Sequence, residues 1–162
     1  MTLPDIDKPT VVEALRAGLE DELRSVEAMA EMARDEATNS ETKAEGKYDT
    51  RATEASYLAR GQAWRIAELR KLCAWLGTDR ATAPLSEATV QTGALVRVCG
   101  ARSEWVYIAP IGGGKANIDG QTVRLISLAS PLGSAMEGLE AEDGFEVDTP
   151  GGTKDYEITD IL

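Results

Sequence analysis

The sequence predicts an α+β protein in which an N-terminal antiparallel α-helical coiled-coil hairpin precedes an antiparallel β-sheet domain with one short helix. Composition is the first reason: Ala, Glu, Leu and Arg dominate residues 8–76, whereas glycine clusters, prolines and Val/Ile pairs begin near Gly93. Spacing is the second reason, because apolar residues recur every three or four positions early in the chain and alternate later. The predicted units are a coiled-coil hairpin over 1–78, a linker over 79–92 and a sheet domain over 93–162.

Two series of regularly spaced residues predict the helices of the hairpin. In the first helix the series is Val12, Leu15, Leu19, Leu23, Val26, Ala30, Ala33 and Ala37. In the second helix it is Tyr48, Ala52, Ala55, Ala59, Gln62, Ile66, Leu69, Cys73 and Leu76. Steps of three and four residues are typical of a coiled-coil seam. The polar stretch 38–46 between the two series is short, so the helices should pack antiparallel.

Charge and side-chain size also vary along the predicted hairpin. Residues 8–37 carry eight acidic and four basic side chains, whereas residues 46–76 carry three acidic and six basic ones. We therefore expect the two helices to attract each other across the flanks of the seam. Leu, Ile and Val occupy the seam near the open base and Ala dominates near the turn, which predicts a rod that tapers toward a polar, acidic tip.

Alternating apolar segments predict the strands of the second domain. They are 94–99, 104–109, 123–128, 145–148 and 154–159. Between the third and fourth segments, Ser130 is placed to cap a short helix that has Pro131 in its first turn. The Thr149–Gly152 stretch reads as the turn that joins the last two strands.

Composition excludes several classes of function. The chain has 162 residues, no histidine, two cysteines and a formal charge of −11. Without histidine there is no His-based catalytic triad, no His general base and no usual zinc ligand set. An acidic chain is a poor direct binder of nucleic acid, which requires a basic surface. No segment is long and apolar enough for a membrane span, so we expect a soluble, cytoplasmic protein without a membrane partner and with reduced thiols.

Other conspicuous residues have structural interpretations. Trp75 should pack at the base of the hairpin against the linker or the sheet domain, and Trp105 and Tyr107 should lie in the core. Cys73 and Cys99 are expected to be small buried hydrophobic residues. The loop Gly112–Lys115 lacks the spacing of a phosphate-binding loop and is not expected to bind a nucleotide.

The C-terminal residues resemble those of a known family. The string SPLGSAMEGLEAEDGFEVDTPGGTKDYEITDIL, from Ser130 onward, contains a Ser-Pro-Leu-Gly helix start, a Thr-Pro-Gly-Gly turn and a final Tyr-Glu-Ile strand. These motifs, in this order and after a coiled coil, are similar to those of the Gre (GreA/GreB) family of bacterial transcription elongation factors. Residues 116–127 fit the segment that leads into the same motifs. The resemblance is specific over the last thirty-odd residues and architectural over the first forty.

The resemblance implies an FKBP-like second domain that binds RNA polymerase, with Ser130, Pro131, Leu132 and Gly133 as candidate polymerase-binding residues. It implies that the coiled coil enters the secondary channel of the polymerase and that nucleic acid is met only through that enzyme. It further implies that two acids at the tip help to hold Mg²⁺ in the polymerase active site for cleavage of backtracked RNA. The chain would then be no enzyme and have no cofactor of its own; at most it stimulates the intrinsic cleavage activity of the polymerase.

The tip departs from the family pattern. In that pattern an Asp is followed three residues later by a Glu, and after three further residues by a Tyr. When Tyr48 is matched to that Tyr, Glu41 takes the position of the Asp, but Ala44 takes that of the Glu and Glu45 comes one residue late. Three interpretations stay open at this point. Glu41 and Glu45 act as the catalytic and metal-holding pair, or the protein occupies the channel without efficient cleavage, or the tip is simply solvated.

Two functions of other classes compete with the Gre-like one. The first is a coiled-coil adaptor with an FKBP-like protein-binding module and no role at the polymerase. The second is a prolyl isomerase or chaperone, which the sparse aromatic residues make the weaker alternative. The sequence predicts neither the oligomeric state nor the relative orientation of rod and sheet domain.

Overall fold

The computed structural model describes the backbone of residues 6–41 and 50–162, and their side chains except those of 39–41, 50–53 and 55. The helices are α1 (Lys8–Glu41), α2 (Thr50–Leu76), α3 (Asp79–Thr82) and α4 (Pro131–Met136). The strands are β1 (Leu95–Cys99), β2 (Ser103–Ile108), β3 (Lys115–Ile118), β4 (Gln121–Ile126), β5 (Gly144–Thr149) and β6 (Gly152–Ile161). The predicted α+β class, with helices first and sheet second, is confirmed.

The two long helices form the predicted antiparallel hairpin. Helix α1 has 34 residues and α2 has 27, which correspond to lengths of about 50 and 40 Å. The Arg16 side chain, early in α1, lies 3.4 Å from the position of a Cβ on Gly77, which directly follows α2. The expected attraction between the helices is confirmed by two ion pairs, Arg65–Glu22 at 2.7 Å and Arg70–Glu27 at 2.8 Å.

Among the seam residues whose side chains are described, most of the buried ones lie in the proximal half of the hairpin, next to the sheet. Val12, Leu15, Leu19, Ile66, Leu69 and Leu76 are all buried there. Farther along, Ala30 is still buried, but Ala33, Ala37 and Ala59 are exposed. The expected taper toward small seam residues therefore coincides with a loss of burial. Tyr48 lies outside the described residues, and of Ala52 and Ala55 only the backbone is described.

The second half of the chain folds into a six-stranded sheet in the order β3-β4-β2-β1-β6-β5. Four of the five ladders are antiparallel, as predicted, but β2 and β4 run parallel. The parallel pair arises because β3, which is additional to the predicted strands, turns back through Asp119 and Gly120 before β4 begins. Both turn residues have positive φ angles, as a two-residue hairpin turn of the Asp-Gly kind requires.

Two hydrophobic cores lie on opposite faces of the sheet. The first contains the base of the hairpin together with Leu95, Trp105, Tyr107, Val123 and Leu125. The second contains Val96, Val98, Val106, Ile158 and Met136 of α4. The connecting segment between hairpin and sheet contributes to both cores, because Ala81 is buried in the first and Val90 in the second. The division into 1–78, 79–92 and 93–162 stays a prediction.

The expectations for the three aromatic residues are confirmed, whereas neither cysteine is fully buried. Trp105 and Tyr107 are buried in the first core, and Trp75 packs against it. Cys73 is half-buried beside the same core; burial raises the pKa of its thiol, and the Glu20 carboxylate adds to the effect. The prediction for Cys99 is wrong: its side chain is exposed because it ends β1, where the strand leaves the core. Among the described helices, none combines the length and hydropathy needed to cross a bilayer.

Candidate functional site

The acidic tip lies largely outside the described residues. Glu41 is the last residue of α1, but its side chain is not among those described, and Glu45 lies outside them altogether. Among the described residues, no group of three or more carboxylates and thiols converges on a point where it could hold a metal ion. The assignment of Glu41 and Glu45 as a catalytic, metal-holding pair therefore stays a prediction.

The second candidate site, Ser130–Gly133, begins helix α4. The Ser130 Oγ accepts a hydrogen bond of 3.0 Å from the backbone N–H of Gly133 and donates one of 2.7 Å to the Ser127 carbonyl. Ser130 has extended backbone angles and Pro131 follows in the first turn, as the sequence predicts for a capped helix start. This small network fixes the angle at which the chain enters α4.

Gly133 is required by a close approach of two backbone segments. A Cβ at this position would lie 2.0 Å from the Ser127 carbonyl oxygen and 2.9 Å from the Leu128 Cα. Any side chain would therefore push α4 away from the chain that precedes it. Leu132 packs against the second core, while Pro131 and Ser134 are exposed. Ser130, Leu132 and Gly133 thus have a structural role, and they hold Pro131 at the surface in a fixed position.

The hairpin and the sheet are joined by a buried lysine. Lys8, at the start of α1, donates a hydrogen bond of 2.7 Å to the Ala83 carbonyl and one of 3.2 Å to the Gly93 carbonyl. Its side chain is buried, and burial lowers the pKa of its ammonium group. Because both acceptors belong to the segment before β1, this one side chain ties the base of the rod to the sheet domain. The sequence gives no signal for the role, since an isolated lysine at a helix start is ordinarily solvated.

A second joint connects α2, α3 and β2 through Tyr107. The Trp75 indole N–H donates to the Tyr107 hydroxyl at 3.2 Å, and that hydroxyl donates to the Ala81 carbonyl at 2.8 Å. Burial raises the pKa of Tyr107, with the hydrogen bond from Trp75 acting in the opposite direction. The guanidinium carbon of Arg80 lies over the Trp75 ring, 5.6 Å from the ring centre. The hairpin is therefore attached to the sheet domain by hydrogen bonds as well as by apolar contacts.

The glycine-rich loop at residues 112–114, before β3, contacts both helices of the hairpin. Gly113 and Gly114 have φ angles of +114° and +143°, which favour glycine. A Cβ on Gly113 would lie 3.3 Å from the Arg65 guanidinium, and one on Gly114 would lie 3.0 Å from Leu19. The glycines thus allow both helices of the rod to approach the loop closely.

The geometry described so far defines a class of protein: a long helical rod fixed at its base to a six-stranded sheet domain. Residues 86–162 match the sequence profile of the C-terminal domain of the transcription elongation factors GreA and GreB. Residues 86–162 are therefore similar to the C-terminal domain of the GreA/GreB family. The resemblance inferred from its motifs is confirmed over this part of the sequence.

Similarity to individual proteins is partial. Transcription elongation factor GreA of Rhodospirillum rubrum is 40% identical over 76 residues, which are 46% of this chain and 46% of that protein. The match to this curated relative thus spans about half of its length. Among solved structures, Gfh1 of Thermus aquaticus is 18% identical, with 92% of this chain and 94% of that chain covered and a TM-score of 0.38. A GreA/GreB factor from Nitrosomonas europaea is 23% identical, with 63% and 79% covered and a TM-score of 0.35.

Proposed function

We propose that this protein binds bacterial RNA polymerase through its sheet domain, inserts the tip of its hairpin into the secondary channel and modulates elongation in the cytoplasm. The observation that carries the proposal is the Gre-family C-terminal domain at residues 86–162, attached to a rod whose first helix is about 50 Å long. A rod of this length, fixed at its base, can bring its end to a site that the sheet domain does not reach.

In this proposal the exposed start of α4 contributes to polymerase binding. Ser130 and Gly133 fix the helix start, and Leu132 anchors it in the second core. Pro131 is held at the surface and is available for contact. The site thus divides into three residues that hold its shape and one, Pro131, that would meet the partner.

The tip acids would act on the chemistry of the polymerase. Carboxylates suit Mg²⁺, which prefers hard oxygen ligands, so Glu41 and Glu45 are of the right chemical kind to share an ion with the polymerase. When bound, that ion lowers the pKa of a water molecule that attacks the RNA. The protein would remain a factor rather than an enzyme, because the active site belongs to its partner.

The proposal is tested with a backtracked elongation complex that contains 3′-labelled RNA and Mg²⁺. We expect the wild-type protein to accelerate release of short 3′ fragments and the Glu41→Ala/Glu45→Ala variant to lose the effect. A matched control, Glu31→Ala/Asp35→Ala, removes two exposed acids from the shaft of α1 and should behave like the wild type.

Other outcomes separate the competing interpretations. If the wild type accelerates nothing but competes with an authentic cleavage factor, the protein binds the channel and its tip does not support cleavage. If it neither cleaves nor competes, and does not co-purify with core polymerase, the proposal is wrong and the adaptor function takes its place.

A further inference from the structure

A cavity lies where the base of the rod meets the sheet domain, and we call it the base cavity. Its volume is about 620 Å³, which is within the usual range for small-molecule sites. Its walls come from the start of α1, from residues 82–88 and from the end of β6. The apolar residues of its lining include Ile6, Pro9, Pro84, Leu85, Ile161 and Leu162.

Lys8 supplies the base cavity with a buried cation. The residue is one of those that line the cavity, although only 6% of its surface is exposed. Its ammonium group donates to the carbonyl of Ala83, and both neighbours of that residue, Thr82 and Pro84, line the same cavity. The charge therefore lies beside the cavity wall. An apolar cavity with one buried charge in its wall favours a ligand that has an apolar body and a group of opposite charge.

The ammonium group of Lys8 has room for a further acceptor. A lysine has three N–H donors, and two of them bond to the carbonyls of Ala83 and Gly93, which are neutral. Among the ion pairs formed by the described residues, none includes Lys8. A carboxylate that accepts from an ammonium forms a charge-assisted hydrogen bond, which is stronger than a bond to a neutral carbonyl. One anionic acceptor would therefore complete the partners of this buried charge.

The remaining lining favours an aliphatic carboxylate over a nucleotide. Among the lining side chains that the structure describes, the one carboxylate is that of Asp7, which is exposed, so solvent and salt screen its repulsion of an anion. The same set of side chains contains no aromatic ring on which a base could stack. A phosphate is bound best by several donors, whereas this lining offers a single ammonium group.

We propose that the base cavity binds a small amphipathic carboxylate, with its aliphatic chain against the apolar lining and its carboxylate on the Lys8 ammonium group. The proposal is independent of the proposed function, because it involves neither the tip nor the start of α4. The cavity walls belong to the rod, the connecting segment and the last strand, so one bound molecule would contact all three. Binding would therefore stabilise the joint between rod and sheet domain and raise the midpoint of thermal unfolding.

The first test compares two probes that have the same aliphatic chain and opposite charges. Decanoate and decyltrimethylammonium are titrated into the full-length protein by calorimetry, below the concentrations at which they form micelles. We expect decanoate to bind at least about tenfold more tightly and to raise the unfolding midpoint. The chain has a charge of −11, so non-specific attraction would favour the cation instead. Tighter binding of the cation, or no binding of decanoate, would overturn the inference.

The second test changes the cavity at two positions. Lys8→Met keeps an apolar side chain and removes the ammonium group, so decanoate binding should weaken by about tenfold or more and the preference over the cation should disappear. Because Lys8 also joins rod and sheet, a second variant leaves it in place. Ala88→Trp adds a large side chain at an exposed position of the lining and should weaken binding of both probes.

The matched control is Ser86→Trp, which adds the same side chain at an exposed position outside the described lining and should bind like the wild type. Circular dichroism should show that all three variants are folded. Wild-type affinity for decanoate in a folded Lys8→Met or Ala88→Trp variant would contradict the inference.

The third test asks whether residues that precede Ile6 are the occupant of the base cavity. A variant that lacks residues 2–4 should bind decanoate with the affinity of the wild type. If the shortened protein binds decanoate and the wild type does not, the chain itself fills the cavity, and the inference of a separate ligand is wrong.

Discussion

The proximal and distal halves of the same hairpin differ in how their apolar residues are used. Near the sheet, Leu15, Leu19 and Leu69 are almost fully buried, and the rod contributes to a core that it shares with the sheet domain. Farther out, most of the seam residues are alanines, and large apolar side chains such as Leu58 and Trp64 are exposed. The heptad spacing is the same in both halves. A regular seam therefore predicts that a helical pair forms, while the size of the seam residues determines how much that pair stabilises itself.

The largest expected effect contrasts two glycines, one in the packed body and one in the distal rod. Gly133→Ala places a Cβ 2.0 Å from the Ser127 carbonyl oxygen, so we expect a loss of about 3 kcal/mol or more in the free energy of unfolding. Gly61→Ala, in α2, meets nothing within 4 Å and should stabilise the helix by about 0.5–1 kcal/mol. Urea denaturation followed by circular dichroism measures both. Equal behaviour of the two variants would contradict the close approach at α4.

The next comparison uses one substitution at two depths of the rod. Leu69 has no exposed surface, whereas Leu58 is 68% exposed. Leu69→Ala should cost about 2–5 kcal/mol of unfolding free energy, because it leaves a cavity in the first core. Leu58→Ala should change that free energy by no more than about 0.5 kcal/mol. Thermal unfolding of the two variants measures this difference. Equal destabilisation would refute the contrast between the proximal and distal halves of the hairpin.

An intermediate effect is expected at the joint formed by Tyr107. Tyr107→Phe removes the acceptor of the Trp75 indole and the donor to the Ala81 carbonyl, which should cost about 1–3 kcal/mol at neutral pH. Burial raises the pKa of Tyr107, so the folded protein keeps the phenol proton at a pH where the unfolded chain releases it. The wild type should therefore lose stability relative to the variant as the pH rises above about 10.

That pH dependence is measured by urea unfolding of both proteins at pH 8 and pH 10.5. The difference in unfolding free energy between wild type and variant reports on Tyr107, because other groups that titrate in the same range, including Lys8, are present in both proteins. If the stability of the wild type relative to the variant is greater at pH 10.5 than at pH 8, the raised pKa of Tyr107 is contradicted.

The smallest expected effect is at the cap of α4. Ser130→Ala removes the acceptor for the Gly133 N–H and should cost about 1 kcal/mol of unfolding free energy. The Ser130→Asp variant restores an acceptor and should recover most of that loss. If the alanine variant binds polymerase as tightly as the wild type once both are fully folded, the hydroxyl serves the helix and not the partner.

Elements with strong local signals were predictable from sequence, and those that depend on distant contacts were not. The seam spacing, the turn at Thr149–Gly152 and the Ser130 cap each depend on a few neighbouring residues, and the structure has them where they were expected. The Asp119-Gly120 pair is a local signal for the hairpin of β3 and β4, but no local pattern encodes the parallel pairing of β4 with β2. The candidate site shows the same division: the start of α4 was identified by its motif, whereas the burial of Lys8 depends on carbonyl groups more than 70 residues away.

The exposure of Trp64 could not be predicted from the sequence for a related reason. Trp64 lies outside the seam, as the spacing indicates, but spacing alone does not say whether a neighbouring element covers it. In the structure its side chain is 71% exposed.

The contact between α1 and the glycine-rich loop affects how the protein can fold while it is being synthesised. Leu19 packs at Gly114, which the ribosome adds 95 residues later (114 minus 19). At about 5–20 residues per second, the first helix waits roughly 5–20 s before its sheet-facing side can be covered. During that interval the apolar residues of α1 are accessible to chaperones and proteases, and a ribosome that stalls before Gly114 leaves them so. Rare codons between the end of α2 and β3 would therefore be expected to reduce the yield of intact protein more than rare codons placed after β4.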